Sequence, residues 1–502
     1  MNNRKNLLII GAGAAGKMVL NDFKKTQGFK YNIVGFIDDK ASKLNTSLGG
    51  VKVLGNRHDI IEICKLKNVH EILLAIPSLS AEGKAEILNI CNNTSCEIKI
   101  LPSMSEIMNI GNLKLSVRNM ELEDLLARDP VVLDNVKIAG YISGKTVMIT
   151  GGGGSIGSEL CRQVARFNPE KIVVFDIYEN NAYDLQNEFL SAFPNTDLEV
   201  VIGSVRDKER LNMVFSKYRP HVVFHAAAHK HVPLMEKNPS EAVINNVLGT
   251  LNTANCAKKY NADKFILISS DKAVNPTNVM GATKRLCEMI IQSIGKDSKT
   301  EFVAVRFGNV LGSNGSVVPL FKNQIKNGGP ITLTHKDVTR FFMTITEAAQ
   351  LVLEATSYAG QGEIYVLDMG KPIKIYDLAI KLIKLSGLEP FKDINIVITG
   401  LRSGEKLYEE MLMDQEDLSE ISNSKIFVAK PMNINWSSFE KGLIKLFNVA
   451  STGDGVKIRR ILSELVETYT YIIEDKSEYE ISFENECINI NDIKRRAIAE
   501  MS

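Results

Sequence analysis

Short apolar runs recur along the chain, and between them apolar positions return every third or fourth residue. In the first part the runs fall at residues 7–10, 33–37, 51–54, 71–75 and 97–101, with a helix predicted over 15–25. The alternation restarts at 146–149 and continues through 171–175, 199–202, 222–224, 265–268 and 302–307, with helices predicted over 158–167 and 279–292. Continuous apolar runs, as opposed to every-other-residue patterns, are what strands buried on both faces require. Strands alternating with helices predict parallel sheets covered on each side, hence an α/β chain with two doubly wound domains. The expected organisation is a first domain over 1–115 and a connector over 116–143 carrying a short amphipathic helix over 122–130 stopped by Pro130. A larger domain over 144–410 and a helical part with a tail over 411–502 follow. Amphipathic helices are predicted over 439–447 and 455–473; 414–424 is polar and expected to be mobile, and the tail from Glu474 has no readable motif.

Glycine turns sharpen this picture. Gly11, Gly13 and Gly16 follow the first strand, and Asp38 and Asp39 follow the second. This spacing has the form of a dinucleotide fingerprint, although a glycine-rich βα turn also serves simple close packing, and both readings stay open. A fuller version opens the second domain, where Gly151, Gly154 and Gly157 enclose Ser155 and Ile156 ahead of a helix, and Asp176 lies nineteen residues past Gly157 at a strand end. Such glycines let a pyrophosphate approach the helix N-terminus, and the acid suits the ribose of NAD while repelling the additional phosphate of NADP. Both domains are therefore Rossmann-like. Ala226 and Ala227 end a later strand with side chains small enough for a flat cofactor to pass over. His225, His229 and His231 invite a metal reading, but no carboxylate or cysteine completes a ligand set, and His229, Lys230 and His231 are expected to line the cleft instead.

Polar residues closing a buried strand face the crevice where open α/β sheets bind ligands. Ser270, Asp271 and Lys272 close the run 265–268 in this way. After the turn Asn275-Pro276-Thr277-Asn278, Met280 and Lys284 stand four apart on one helix face. Strand end and helix face converge on one predicted reaction centre. For an arbitrary protein Asp271 and Lys272 would be a local ion pair.

Composition excludes more than it identifies. Lys plus Arg number 60 against 59 for Asp plus Glu, so no global field points to nucleic acid or an anionic membrane. Seven scattered cysteines without a CxxC pair argue for a reducing compartment and against a disulfide framework or zinc site. The basic start followed by residues 7–10 has the flavour of a signal peptide, but the run breaks at once into glycines, and no stretch is long enough to span a bilayer. The expectation is a soluble chain, cytoplasmic or the cytoplasmic portion of an inner-membrane protein.

From Thr150 to Lys406 the chain resembles the extended short-chain dehydrogenase/reductases, and within them the nucleotide-sugar 4,6-dehydratases of bacterial polysaccharide and glycan biosynthesis. The marks are TGGGGSIGSELCRQ at 150–163, HAAAHKHVPLMEKNP at 225–239, SSDKAVNPTNVMGATKR at 269–285, RFGNVLGSNGSVVPLF at 306–321 and RSGEK at 402–406. The first domain is similar to the extra Rossmann-like domain of the long, membrane-anchored members, whose preceding transmembrane helices have no counterpart in this sequence. Most of the superfamily has tyrosine four residues before the lysine, whereas here the position is Met280, as in the long UDP-N-acetylglucosamine 4,6-dehydratases that retain the C5 configuration. Methionine has no proton to exchange.

The resemblance implies NAD held by Gly151, Gly154, Ser155, Ile156, Gly157, Asp176, Ser204, Val205, Ala226, Ala227, Asn246 and Lys284, with no metal. It implies C4 oxidation of UDP-N-acetylglucosamine, loss of water across C5 and C6, and hydride return to C6. Asp271 would be the acid at C6, and Lys272 the base at C5 if desolvation or Lys284 lowers its pKa; Ser270 is the candidate for the C4 hydroxyl proton. His231, Asn309, Arg340, Arg402 and Glu405 would hold the UDP-sugar in a small C-terminal substrate-binding part, and a homo-oligomer is implied. The rival readings are a nucleotide-sugar 4-epimerase, which needs no acid and base at C5 and C6, and a non-catalytic NAD-binding scaffold.

Overall fold

The computed structural model describes residues 4–27, 30–101, 117–126, 128, 131–411, 418–420, 423, 425–429, 432 and 434–471. The N-terminal sheet holds β1 (Lys5–Ile10), β2 (Tyr31–Ile37), β3 (Ser47–Leu48), β4 (Val51–Gly55), β5 (Glu71–Leu74), β6 (Glu97–Ile100) and β7 (Arg118–Asn119) in the order β3-β4-β2-β1-β5-β6-β7. Its five central strands are parallel, and the short edge strands β3 and β7 run antiparallel. Leu7 to Ile10 are at most 1% exposed, because the sheet is covered on both faces. Helix α1 (Ala14–Asp22) follows the Gly11 turn and widens into a π-helical turn at Phe23–Gln27, so the predicted helix is regular only over its first part.

The larger sheet is built from β8 (Thr146–Thr150), β9 (Lys171–Asp176), β10 (Leu198–Ile202), β11 (Val222–His225), β12 (Lys264–Ile268), β13 (Glu301–Arg306), β14 (Ile364–Leu367), β15 (Leu418–Glu420) and β16 (Ile426–Ala429). Their order is β10-β9-β8-β11-β12-β13-β14-β16-β15, parallel as far as β14 and antiparallel beyond it. Register sets the carboxyl ends side by side: Thr150 stands opposite His225, His225 opposite Leu267, and Ile268 opposite Val305. The crevice predicted from polar strand ends therefore runs along one edge of this sheet.

Several elements differ from the sequence pattern. The helix expected over 158–167 is α2 (Ser155–Ala165), which starts a turn earlier because Gly154 already caps it in extended backbone. Where an amphipathic helix was expected over 122–130, the described residues hold a single 3-10 turn at Leu122–Leu125, opened by a reciprocal N-terminal cap between Glu121 and Asp124; residues 127, 129 and 130 lie outside the described residues. The segment 116–143 is shared between its neighbours: Arg118–Asn119 extends the first sheet, and Ile138 and Ile142 on the helix Asn135–Ile142 enter the core of the second. Beyond 411, β15 and β16 extend the sheet, where only helices and tail were expected. Most of 414–424 and the tail from 474 lie outside the described residues. An apolar cluster continues from Leu8, Ile10, Ile72 and Leu88 of the first domain to Phe321, Ile375 and Leu382, so the two parts share one core.

The reaction centre rests on helices α3 (Val232–Lys237) and α4 (Val279–Gly295). All of α4 except Met289 is buried, and α6 (Gly455–Leu465), which pairs with α5 (Trp436–Ala450), covers part of it. Glu236 on α3 accepts the N–H of Val279 at 2.5 Å and pairs with Arg459 of α6 at 3.2 Å, while Thr470 N–H donates to the carbonyl of Pro276 at 3.0 Å. The C-terminal hairpin thus braces the start of α4 and the turn before it. Deeper in, Glu288 is fully buried, accepting from Arg306 and Arg285 at 2.9 Å each and from the Ser269 hydroxyl at 2.6 Å. The two guanidiniums hold its pKa down at about 2 against strong desolvation.

Removing one partner of a buried charge cluster leaves the others uncompensated. Glu288→Gln should therefore lower stability by about 3–5 kcal/mol, read by denaturant unfolding. Because the folded pKa lies below the ordinary 4.5, the charge contribution is complete above that value and is lost as pH falls toward about 2, so the deficit of the variant should shrink over the same window.

Candidate active site

A cleft of about 660 Å³ opens over the carboxyl ends of β8, β11, β12 and β13, and an adjoining recess of about 220 Å³ lies over β9 and β10. The cleft is lined by Gly151, Gly154, Ser155, Ile156 and Gly157 at one end, by Ser270, Lys272, Met280 and Lys284 in the middle, and by Asn309, Arg340, Arg402 and Glu405 at the other, with His229 and His231 along its wall. Asp176, Ser204, Val205, Ala226 and Ala227 line the recess. Residues from all three predicted groups face one continuous space.

The glycine turn is shaped by close approach. Gly151 has φ +68, and a Cβ there would lie 2.7 Å from the backbone nitrogen of Ala227. A Cβ on Gly157 would overlap the carbonyl oxygen of Gly151, so this glycine lets α2 pack against its own turn. The Asp176 carboxylate accepts from Gly153 N–H and Tyr178 N–H, both at 2.8 Å. It thereby ties the turn to the next strand and keeps lone pairs free for a ribose hydroxyl. A side-chain-free floor, a helix N-terminus and a fixed carboxylate fit a dinucleotide. In the first domain, Asp38 also accepts from its glycine turn, through Ala12 N–H at 2.9 Å, but Lys43 neutralises it at 2.8 Å.

Asn246, expected at the cofactor, stands behind the wall instead. Its amide exchanges hydrogen bonds with both backbone groups of His229, at 2.8 and 3.0 Å, and holds that segment in place. His225 is likewise structural, clamped between the Thr150 and Thr250 hydroxyls, and burial pushes its pKa down to about 3, so it is neutral. Among the described residues no three His, Cys, Asp or Glu side chains are grouped to hold a metal ion.

At the centre, β12 ends in a 3-10 turn over Asp271–Ala273. Ser270 donates its hydroxyl to Asp271 Oδ1 at 2.8 Å, and Lys272 Nζ approaches the same oxygen at 3.1 Å and Asn309 Oδ1 at 3.3 Å. Asp271 is 1% exposed, just beneath the cleft surface. A Cβ on Gly281 would overlap the carbonyl oxygen of Lys272, so α4 starts in direct contact with this turn. That approach brings Met280 and Lys284 alongside it. Lys284 donates to the carbonyl of Ile268 at 2.6 Å, and burial lowers its pKa.

The condition attached to Lys272 as a base, a lowered pKa, is not met. Burial does act to lower it, but Asp271 and Glu409, whose Oε1 lies 3.4 Å from Nζ, together raise it above the ordinary lysine value. Sequence reasoning missed Glu409. It lies three residues past the RSGEK motif in an irregular stretch, and no periodicity marks it. Arg340 is also more occupied than a diphosphate clamp would be: its guanidinium donates to the carbonyls of Thr339 and Lys406 at 2.8 Å, reaches Glu405 at 3.2 Å and lies 3.5 Å from Glu409. It shapes the loop that presents Arg402 and Glu405.

Among the described residues no helix is long and apolar enough to cross a membrane.

Gly281→Ala should cost about 1–3 kcal/mol in stability through overpacking against Lys272, measured by chemical denaturation. An unchanged midpoint would show that the contact can relax.

Comparison with known proteins places these features in a family. Residues 147–431 match the family model described as polysaccharide biosynthesis protein, and residues 1–102 match a CoA-binding domain model. The chain is 48% identical over 431 residues to the capsular polysaccharide biosynthesis protein CapD of Staphylococcus aureus, covering 85% of this chain and 72% of that one. It is 33% identical over 346 residues to a UDP-glucose 4-epimerase of Rickettsia rickettsii (66% and 98% covered) and 34% identical over 279 residues to an inverting UDP-N-acetylglucosamine 4,6-dehydratase of Campylobacter jejuni (55% and 79% covered). Among solved structures, Pen from Bacillus thuringiensis matches with a TM-score of 0.54 at 37% identity, over 58% of this chain and 90% of that one. Two Rossmann-like sheets, a glycine turn with its carboxylate, and a match over more than half the chain together make this protein a member of the polysaccharide biosynthesis protein family of extended short-chain dehydrogenase/reductases.

Proposed function

We propose that the chain is an NAD-dependent UDP-N-acetylglucosamine 4,6-dehydratase that retains the C5 configuration, acting in bacterial glycan or polysaccharide biosynthesis. The observation that carries this reading is the Ser270–Asp271–Lys272 cluster beside Met280: acid and base groups are packed together where an epimerase relies on one tyrosine. NAD held by the glycine turn, Asp176 and Lys284 would supply the oxidation and reduction chemistry.

The remaining steps belong to this chain's own side chains. Ser270 already donates to Asp271, so a proton leaving the C4 hydroxyl can pass through Ser270 Oγ to the Asp271 carboxylate. Asp271 then carries the proton that the C6 hydroxyl needs to depart as water. Lys272 takes the C5 proton and returns it to the same face, which retains configuration. Arg402 and Glu405 hold the diphosphate and nucleotide at the far end of the cleft, with Arg340 fixing the loop that carries them. Relatives are named both as UDP-glucose 4-epimerases and as an inverting UDP-N-acetylglucosamine 4,6-dehydratase, and for this chain the two readings part at C5 and C6.

Incubation with UDP-N-acetylglucosamine in heavy water, followed by mass spectrometry and NMR, should yield a product lighter by one water with deuterium at C5 and unchanged configuration there. Asp271→Asn and Lys272→Ala should each slow it by about 10²–10⁴-fold. Isomerisation to the 4-epimer without loss of water would make the chain an epimerase, and binding of NAD without turnover of any nucleotide sugar would make it a scaffold.

A further inference from the structure

Resting on that reading, one difficulty remains at Lys272. A base at C5 must be a neutral amine, yet this ammonium lies against two carboxylates and the Asn309 carbonyl oxygen. Its other charged neighbours are Arg340, and Lys230, whose own pKa is lowered first by burial and then by Lys272.

Glu409 has the properties of a proton acceptor. Its side chain is 3% exposed, Oε1 is 3.4 Å from Lys272 Nζ, and Oε2 is buried with no hydrogen-bond partner among the described residues. Arg340 Nε, at 3.5 Å, holds it toward the lysine. We propose that Glu409 takes the proton that Lys272 must shed before Lys272 can act as a base, and returns it when the turnover ends. The trigger is the preceding step. Once Asp271 has accepted the C4 hydroxyl proton it is neutral, and Lys272 loses one of its two counter-charges. In a cleft filled by substrate, a neutral amine beside a neutral carboxylic acid then avoids the desolvation of two ions.

The protons balance at every step. One moves from Lys272 Nζ to Glu409, leaving amine and carboxylic acid; the next moves from C5 to the amine. When C5 is reprotonated from the ammonium, the amine regains its first proton from Glu409, and the ammonium–carboxylate pair is restored. No co-reactant is required. Glu409 acts through Lys272, and since Arg340 also holds Glu405, the loop that grips the nucleotide is the loop that positions this carboxylate.

Two readouts test this on the full chain. The first needs no turnover: trace acetylation with acetic anhydride across the lysine titration range, read peptide by peptide by mass spectrometry. In Glu409→Gln the half-labelling pH of Lys272 should fall by roughly one to three units, with Lys445 and Lys457 unchanged. The second is kinetic. Glu409→Gln should lower kcat and C5 deuterium incorporation about 10²-fold and alter the pH–rate profile, with KM nearly unchanged, while Glu409→Asp recovers part of the rate. An unmoved labelling curve overturns the proposal, and so does a shifted curve with wild-type kcat and pH profile. A wild-type chain that dehydrates no nucleotide sugar would instead defeat the functional reading, whatever the labelling shows.

Discussion

The geometry of the cleft depends on one buried carboxylate. Glu288 gathers Arg285 from its own helix, Arg306 from the end of β13 and Ser269 from the end of β12, all out of contact with solvent. Burial alone would favour neutral Glu288, and the two guanidiniums, helped by the Ser269 hydroxyl, keep it ionised. This locks α4 against two strand ends. Because α4 carries Met280 and Lys284, and β12 runs directly into Ser270, the same ion cluster fixes the spacing between the two halves of the reaction centre.

Contact without a side chain completes the arrangement at Gly281, where helix backbone meets the carbonyl of Lys272. Above it, charge is distributed rather than concentrated. Asp271 and Glu409 flank Lys272, Arg340 ties Glu409 to Glu405, and Lys284 is turned onto a strand carbonyl. A change in protonation at Asp271, Lys272 or Glu409 is felt by its neighbour, because the charged atoms lie 3.1–3.5 Å apart. The C-terminal hairpin adds a brace from outside, through Arg459 and Glu236 to the first N–H of α4.

The two glycine turns show how similar sequence leads to different chemistry. Asp38 and Asp176 occupy matching positions after their second strands, and each accepts a backbone N–H from its own turn. Lys43 sits on Asp38, whereas Asp176 accepts from the backbone N–H groups of Gly153 and Tyr178 and forms no ion pair among the described residues. A ribose hydroxyl meeting Asp38 would compete with an ammonium, and one meeting Asp176 would not. The first domain's shared apolar cluster with Phe321 and Ile375 gives it a packing role in either case.

Much of the fold was legible because buried parallel strands must be continuously apolar, and turns near phosphates must lack side chains. Hence the strands around residues 7–10, 146–149 and 265–268 and the glycines from 151 to 157 stand out in the sequence alone. Over 122–125 the helix read from apolar spacing is a 3-10 turn whose Leu122 is drawn into the apolar cluster of the first domain, and β16 was missed because its pairing needs a partner strand, β14, that lies far away in sequence, and β15 because it pairs in turn with β16. Proximity of Ser270, Asp271, Lys272, Met280 and Lys284 followed from strand and helix periodicity, which are local properties. The roles of Asn246 and Arg340, the charge on Lys272 and the very presence of Glu409 did not. Charge state and hydrogen-bond partnership depend on what lies within a few ångströms in space, and only tertiary structure brings residue 409 to residue 272.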